Sequence, residues 1–115
     1  MKMIVAIIQP VKLQAVRDAL YAIGVDRMTI CDAEGFGRQR GQPATYRGIE
    51  YKVHLLRKIA IEIMVNDDFL DRTLDTLVRV ARTGSEGNIG DGKIFVLPAV
   101  EAIAIDSGER GPSAI

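Results

Sequence analysis

Leu55-Leu56-Arg57-Lys58-Ile59-Ala60-Ile61-Glu62-Ile63-Met64-Val65 reads as a β-strand with two unlike faces. Side chains alternate across a strand, so Ile59, Ile61, Ile63 and Val65 share one side. Lys58, Ala60, Glu62 and Met64 share the other. The first set suits a covered sheet face. In the second, Lys58 and Glu62 point the same way, either as a solvated face or as the lining of a pocket. Asn66, Asp67 and Asp68 follow at once, a helix start by capping and by acids at the positive end of the helix dipole. Leu70, Leu74, Leu77, Val78 and Ala81 then recur at helical spacing, and Gly84 ends the helix.

Working outward, residues 3–9 are apolar on both faces, as in a central strand covered on both sides. Pro10 opens a helix over residues 10–23, with Leu13, Val16, Leu20 and Ile23 on one stripe and Gly24 as its stop. Residues 28–36 read as a second strand, ended by Gly35-Phe36-Gly37. Residues 38–54 are polar, without an apolar period, and carry Tyr46 and Tyr51; a loop this long in a small domain reads as a binding loop. Downstream, residues 94–97 form a short strand stopped by Pro98. Residues 100–105 are a further apolar run, and the polar tail 107–115 reads as irregular. The order strand, helix, strand, strand, helix, strand predicts an α+β, ferredoxin-like sandwich. Its four-stranded antiparallel sheet carries both helices on one face. The other apolar face is then expected to pack in a homo-oligomer.

The chain has 115 residues, expected to form a single domain over 1–115. Fifteen basic and 15 acidic residues balance, so no global field attracts nucleic acid. Cys31 is alone, which excludes an internal disulfide and suits a reducing cytoplasm. His54 is the only histidine, which removes His-rich metal clusters. No signal peptide or membrane span is expected, and the chain reads as cytoplasmic. Without a placed general base it does not read as an enzyme.

Gly84-Ser85-Glu86-Gly87-Asn88-Ile89-Gly90-Asp91-Gly92-Lys93 places four glycines within nine residues and closes on a lysine. Glycines let a ligand approach the main chain, exposed amides cradle anions, and Lys93 adds a point charge. The run is one wall of a phosphate site or a plain helix-to-strand connection. It is not the loop of a P-loop NTPase. Ile94 has no hydroxyl for Mg²⁺, and a helix precedes the run where a strand should.

Four segments carry a family resemblance: MKMIVAIIQPVKLQAVRDAL (1–20), GFGRQRGQPATYRGIEYKVHLLRKIAIEIMV (35–65), IGDGKIFV (89–96) and SGERGPSAI (107–115). Over nearly its whole length the chain resembles the PII nitrogen-regulatory signal-transduction family. The resemblance implies a homotrimer of ferredoxin-like subunits. It implies ATP or ADP in clefts between subunits, and 2-oxoglutarate beside Mg²⁺-ATP. The long loop would be the T-loop, which docks on a target such as an ammonium channel or another transporter. It implies nucleotide contacts from Thr29, Gly35, Gly37, Arg38, Glu62, Met64, Gly90, Asp91, Gly92 and Lys93. Gln39 would help to hold Mg²⁺ and 2-oxoglutarate, and Lys58 would pair with the 2-oxoglutarate carboxylate. Arg47 would be the loop-tip arginine that engages a target, and Tyr51 the tyrosine that some bacteria nucleotidylate. The serine phosphorylated in other members falls at Ile49.

Several positions depart from the family pattern. Ser85, Glu86, Gly87 and Asn88 lengthen the glycine loop. Ala104 and Asp106 stand where two arginines usually reach a neighbour's phosphates. Each lost charge-assisted bond costs roughly 1.5–3 kcal/mol, so ATP should bind more weakly than is usual, unless Arg110 or Arg82 compensates. His54 and Arg57 replace an acid and a proline at the loop's base. These departures leave an alternative: a PII-like sensor with a changed effector, such as ADP, AMP, bicarbonate or another small anion, acting on a non-nitrogen target.

Overall fold

The structure is a computed structural model, and it describes residues 1–36 and 55–115. Strand β1 (Lys2–Ile8) runs through a 3-10 turn at Pro10–Lys12 into helix α1 (Leu13–Ala22). Strands β2 (Thr29–Phe36) and β3 (Leu55–Val65) follow, then helix α2 (Asp67–Ala81) and strand β4 (Gly92–Pro98). The sheet order is β2-β3-β1-β4 and every pairing is antiparallel. This is the ferredoxin-like α+β arrangement that the order of elements predicts.

Period two decides which side chains are covered. Ile4, Ala6 and Ile8 of β1 lie level with Ile63, Ile61 and Ile59 of β3, and all are buried. Val16 and Leu20 of α1 and Leu77 of α2 close over them. Burying each such side chain is worth about 1.5–3 kcal/mol, so this layer dominates the stability.

The apolar stripe of α2 is only part of its buried face. Thr73 and Thr76 are buried, while Val78 is exposed. The threonine hydroxyls donate one turn back, Thr73 Oγ1 to the Phe69 carbonyl at 2.6 Å and Thr76 Oγ1 to the Arg72 carbonyl at 2.8 Å. Backbone acceptors within the helix make these polar side chains compatible with the core.

Asn66 is the N-cap residue, but its side chain does not cap the helix. Its amide donates instead to the Pro112 carbonyl at 3.2 Å, so the C-terminal segment takes the group that local sequence assigns to the cap. Asp67 and Asp68 do occupy the first turn, and Asp67 also meets Lys2 Nζ at 3.1 Å.

The apolar run 100–105 adds no strand to the sheet. Residues 102–111 fold back on themselves, with Ala104 N donating to Glu109 O and Gly111 N to Ala102 O, both at 2.9 Å. The tail is therefore ordered by its own turns rather than irregular throughout, and it ends in a 3-10 turn at Pro112–Ala114. Val100 and Ile105 are 98% and 99% exposed.

The sheet face away from the helices carries Met3, Val5 and Ile7 of β1, level with Leu97, Phe95 and Lys93 of β4. Phe95 is 50% exposed and Leu97 46%. Half of the dual apolar character of β1 thus goes to the core and half to this uncovered face.

Candidate functional site

The uncovered face continues onto β3 as Leu56, Lys58, Ala60, Glu62 and Met64, and onto β2 as Gly35, Ala33, Cys31 and Thr29. One end of it meets the glycine-rich connection between α2 and β4. A cavity of about 500 Å³ opens there. Ile7, Leu56 and Phe95 form an apolar wall, Gly35 and Phe36 the edge of β2, and residues 88–93 the rim. Lys58 and Lys93 supply its cations.

The connection is held by its own acid. Asp91 accepts from the Thr83 hydroxyl at 2.5 Å, from the Thr83 amide at 2.9 Å and from the Asn88 amide at 2.8 Å. Partial burial works against its charge, but these bonds outweigh that, and the carboxyl lies below its ordinary value. Gly87 N donates to Thr83 O and Asp91 N to Asn88 O, so residues 83–91 close into a compact turn. The turn leaves Gly92 paired with Ile8. Gly92 has φ +123°, and a Cβ there would fall 1.8 Å from the Ile7 carbonyl oxygen. Only glycine fits this close approach to β1.

Lys58 is nearly buried, 9% exposed, and its ammonium donates to the Gly90 carbonyl at 2.7 Å. Burial lowers its pKa from the ordinary 10.5, and the negative charge of Asp91 opposes that shift. A desolvated cation beside a cavity is well placed to receive an anion. Gln9 Nε2 donates to the same carbonyl, also at 2.7 Å.

Of the residues singled out from sequence, Gly35, Lys58, Gly90, Asp91, Gly92 and Lys93 come together around this cavity. Thr29, Glu62 and Met64 share the sheet face but not the cavity. Thr29 pairs with Glu62 across β2 and β3, and Glu62 lies four residue steps along the strand from Lys58, roughly 13 Å. Met64 lines a second cavity of about 260 Å³ at the opposite end, with Arg27, Phe69 and Ile115. Gly37, Arg38, Gln39, Arg47, Tyr51 and His54, and with them the long loop, lie outside the described residues. Gln9 and Thr83 were not found from sequence. Gln9 is a lone polar residue at the end of an apolar strand, and nothing local signals its distant partner.

The two arginines named as substitutes for the lost pair are otherwise placed. Arg110 forms a two-pronged ion pair with Glu101, with Nη2 to Oε2 at 2.7 Å and a second bond from Nε to Oε1. Arg82 lines an adjoining crevice of about 280 Å³ between α2 and β4, which shares Asp91, Gly92 and Lys93 with the cavity, and its guanidinium lies 3.5 Å from the Ser85 carbonyl.

Among the described residues no three acidic, histidine or cysteine side chains come together as a metal site. None of their helices is long and apolar enough to cross a membrane.

Comparison with known proteins agrees with this architecture. The family model described as nitrogen regulatory protein P-II matches residues 1–109. The nitrogen regulatory protein P-II of Klebsiella oxytoca is 50% identical over 115 residues, all of both chains. The same figures hold for nitrogen regulatory protein P-II 1 of Escherichia coli strain K12 and for the P-II protein of Bradyrhizobium diazoefficiens. These relatives carry the names of regulatory proteins rather than of enzymes, in line with the sequence reading. A match of this length and identity shows that the chain belongs to the nitrogen regulatory protein P-II family.

Proposed function

We propose that the protein is a PII-type signal-transduction regulator of nitrogen metabolism that binds adenine nucleotides at the glycine-loop cavity. The observation that carries this reading is the convergence of Lys58 and Lys93 with the backbone of residues 90–92 on one apolar-walled cavity. Cations and main-chain groups suit phosphate oxygens, and the apolar wall suits a base or ribose. Glu62, Thr29 and Met64 belong to the same sheet face but do not line this cavity. In this reading a neighbouring copy packed on the uncovered face supplies its Glu62 side to complete the site. The reading therefore includes a homotrimer with nucleotide between subunits, its open faces covering Phe95 and Leu97. Residues 38–54 act as the loop that reports occupancy to a target, such as an ammonium channel. Tyr51 is the candidate for modification and Arg47 for target contact. A Mg²⁺ ion would rest on phosphate oxygens and on Gln39, since Asp91 is engaged within its own turn.

Titration calorimetry with ADP and with ATP tests this directly. Saturable binding of either, at about one nucleotide per chain, supports the reading. No heat and no protection at millimolar nucleotide would end it.

One observation favours a variant of this reading, in which the effector has changed. Ala104 and Asp106 supply no cation, Arg110 is paired with Glu101, and Arg82 lines the adjoining crevice rather than the cavity itself. The described residues therefore favour a ligand with fewer charges than ATP. A bicarbonate or similar small anion would use Lys58 alone. Tighter binding of ADP or AMP than of ATP, with no added effect of 2-oxoglutarate, selects this variant.

A further inference from the structure

The Gly90 carbonyl stands on the rim of a cavity whose cations await an anion, with the negative end of its dipole in the wrong place for one. Both of its lone pairs are occupied: Lys58 Nζ and Gln9 Nε2 each donate to it at 2.7 Å. We propose that Gln9 is a positioning residue of this site. It holds the glycine loop through Gly90 and masks that carbonyl, so that Lys58 is free to turn to an incoming anion. This inference rests on the anion-binding reading of the cavity.

Three features support it. Gln9 precedes Pro10, which restricts its backbone to the extended region, and it has φ −67° and ψ 135° there. Its side chain therefore leaves the end of β1 in a fixed direction and reaches a loop 81 residues away. Its bond to Gly90 is half-buried, where a single donor counts for more than at the surface. Thirdly, Lys58 and Gln9 differ in what each can do next. The lysine can exchange the carbonyl for a phosphate or carboxylate oxygen. The glutamine amide is neutral and gains less from that exchange, so it keeps the loop in place while the lysine moves. With Lys58 as the only side chain on the Gly90 carbonyl, each binding event would have to break the bond that ties this stretch of the loop to β3.

Three full-length variants test the proposal by two measurements. The first is amide hydrogen exchange without ligand at Thr83, Gly87, Asn88 and Asp91, whose amides are bonded inside the loop. The second is ADP affinity by calorimetry. In Gln9→Leu the loop amides should exchange several-fold faster while the core amides of β1 and β3 are unchanged. ADP should bind about three- to tenfold more weakly, the worth of one hydrogen bond. Gln9→Lys restores a donor and adds a cation, so loop exchange should return to the wild-type rate and ADP affinity should be kept or improved. Gln9→Glu places a carboxylate beside Lys58 and should weaken ADP by more than tenfold. Unchanged loop exchange in Gln9→Leu, or failure of Gln9→Lys to restore it, overturns the proposal. If the wild type binds no ADP but the exchange pattern is as expected, Gln9 still positions the loop and the nucleotide reading is what fails.

Discussion

Replacing Gly92 by alanine should be among the most damaging single changes available outside the core. The added Cβ would lie 1.8 Å from the Ile7 carbonyl oxygen, 2.9 Å from its carbon and 3.2 Å from the Ile8 Cα. All three are backbone atoms of a central strand, so no side chain can swing aside. At φ +123° the alanine is also strained whatever the space, at about 1–3 kcal/mol. Moving β4 away from β1 breaks the Ile8–Gly92 pairing and disturbs Ile7–Lys93, about 1 kcal/mol for each hydrogen bond lost. Strain and two lost bonds together give about 3–5 kcal/mol. For a chain of this size that is a fall in Tm of about 12–20 °C. Urea denaturation at one fixed protein concentration measures it, since association would otherwise shift the midpoint. Two glycines serve as controls. Gly84→Ala meets nothing within 4 Å but has φ +64°, and should cost about 1 kcal/mol. Gly35→Ala meets nothing within 4 Å and has no positive φ, and should be close to neutral for stability. A loss below about 1 kcal/mol in Gly92→Ala, or one no larger than that of Gly84→Ala, would refute the steric reasoning.

The other expectations concern charge, packing and assembly. Lys58→Met should weaken ADP about 10- to 100-fold in calorimetry, the worth of one charge-assisted bond, with a smaller change in stability. Asp91 has a carboxyl pKa lowered on folding from 3.8, so the stability it adds is present above 3.8 and is lost as pH falls through the folded value. Asp91→Asn should therefore be less stable than wild type at neutral pH, and the gap should narrow below pH 3.8, as read by denaturation at several pH values. Thr73→Val keeps the buried shape and removes a hydroxyl whose acceptor already belongs to the helix ladder, so stability should change by about 1 kcal/mol or less; Thr73→Ala leaves a void and should cost more. Phe95→Glu puts a charge on the uncovered sheet face and should reduce the proposed homotrimer to single chains of 12.6 kDa by light scattering.

Strand and helix order were legible because period two and period 3.6 differ sharply here. Residues 55–65 were read with the bounds that β3 has. Local pattern says less where a partner comes from far along the chain. Asn66 has the chemistry of a cap, yet Pro112 claims its side chain. Thr73 and Thr76 look like surface residues until the helix carbonyls that satisfy them are seen. Composition singles out Gly90 to Lys93 as one wall of a phosphate site or a plain connection, but not the use of Asp91 as the clasp of its own turn. That role depends on Thr83, eight residues earlier, and no local pattern reports such a contact. Gln9 is a stronger case of the same kind, since its partner is 81 residues away.

Phe36 and Leu55 lie opposite one another in the β2–β3 register, so the chain leaves the sheet and returns to it at neighbouring points. The entropy of closing such an excursion rises only with the logarithm of its length, about 0.6 kcal/mol for each doubling. Residues 37–54 can thus be lengthened, shortened or rewritten at little expense to the sheet beneath. A scaffold of this kind lets one appendage be edited while the cavity that Gly35 and Phe36 help to line keeps its shape.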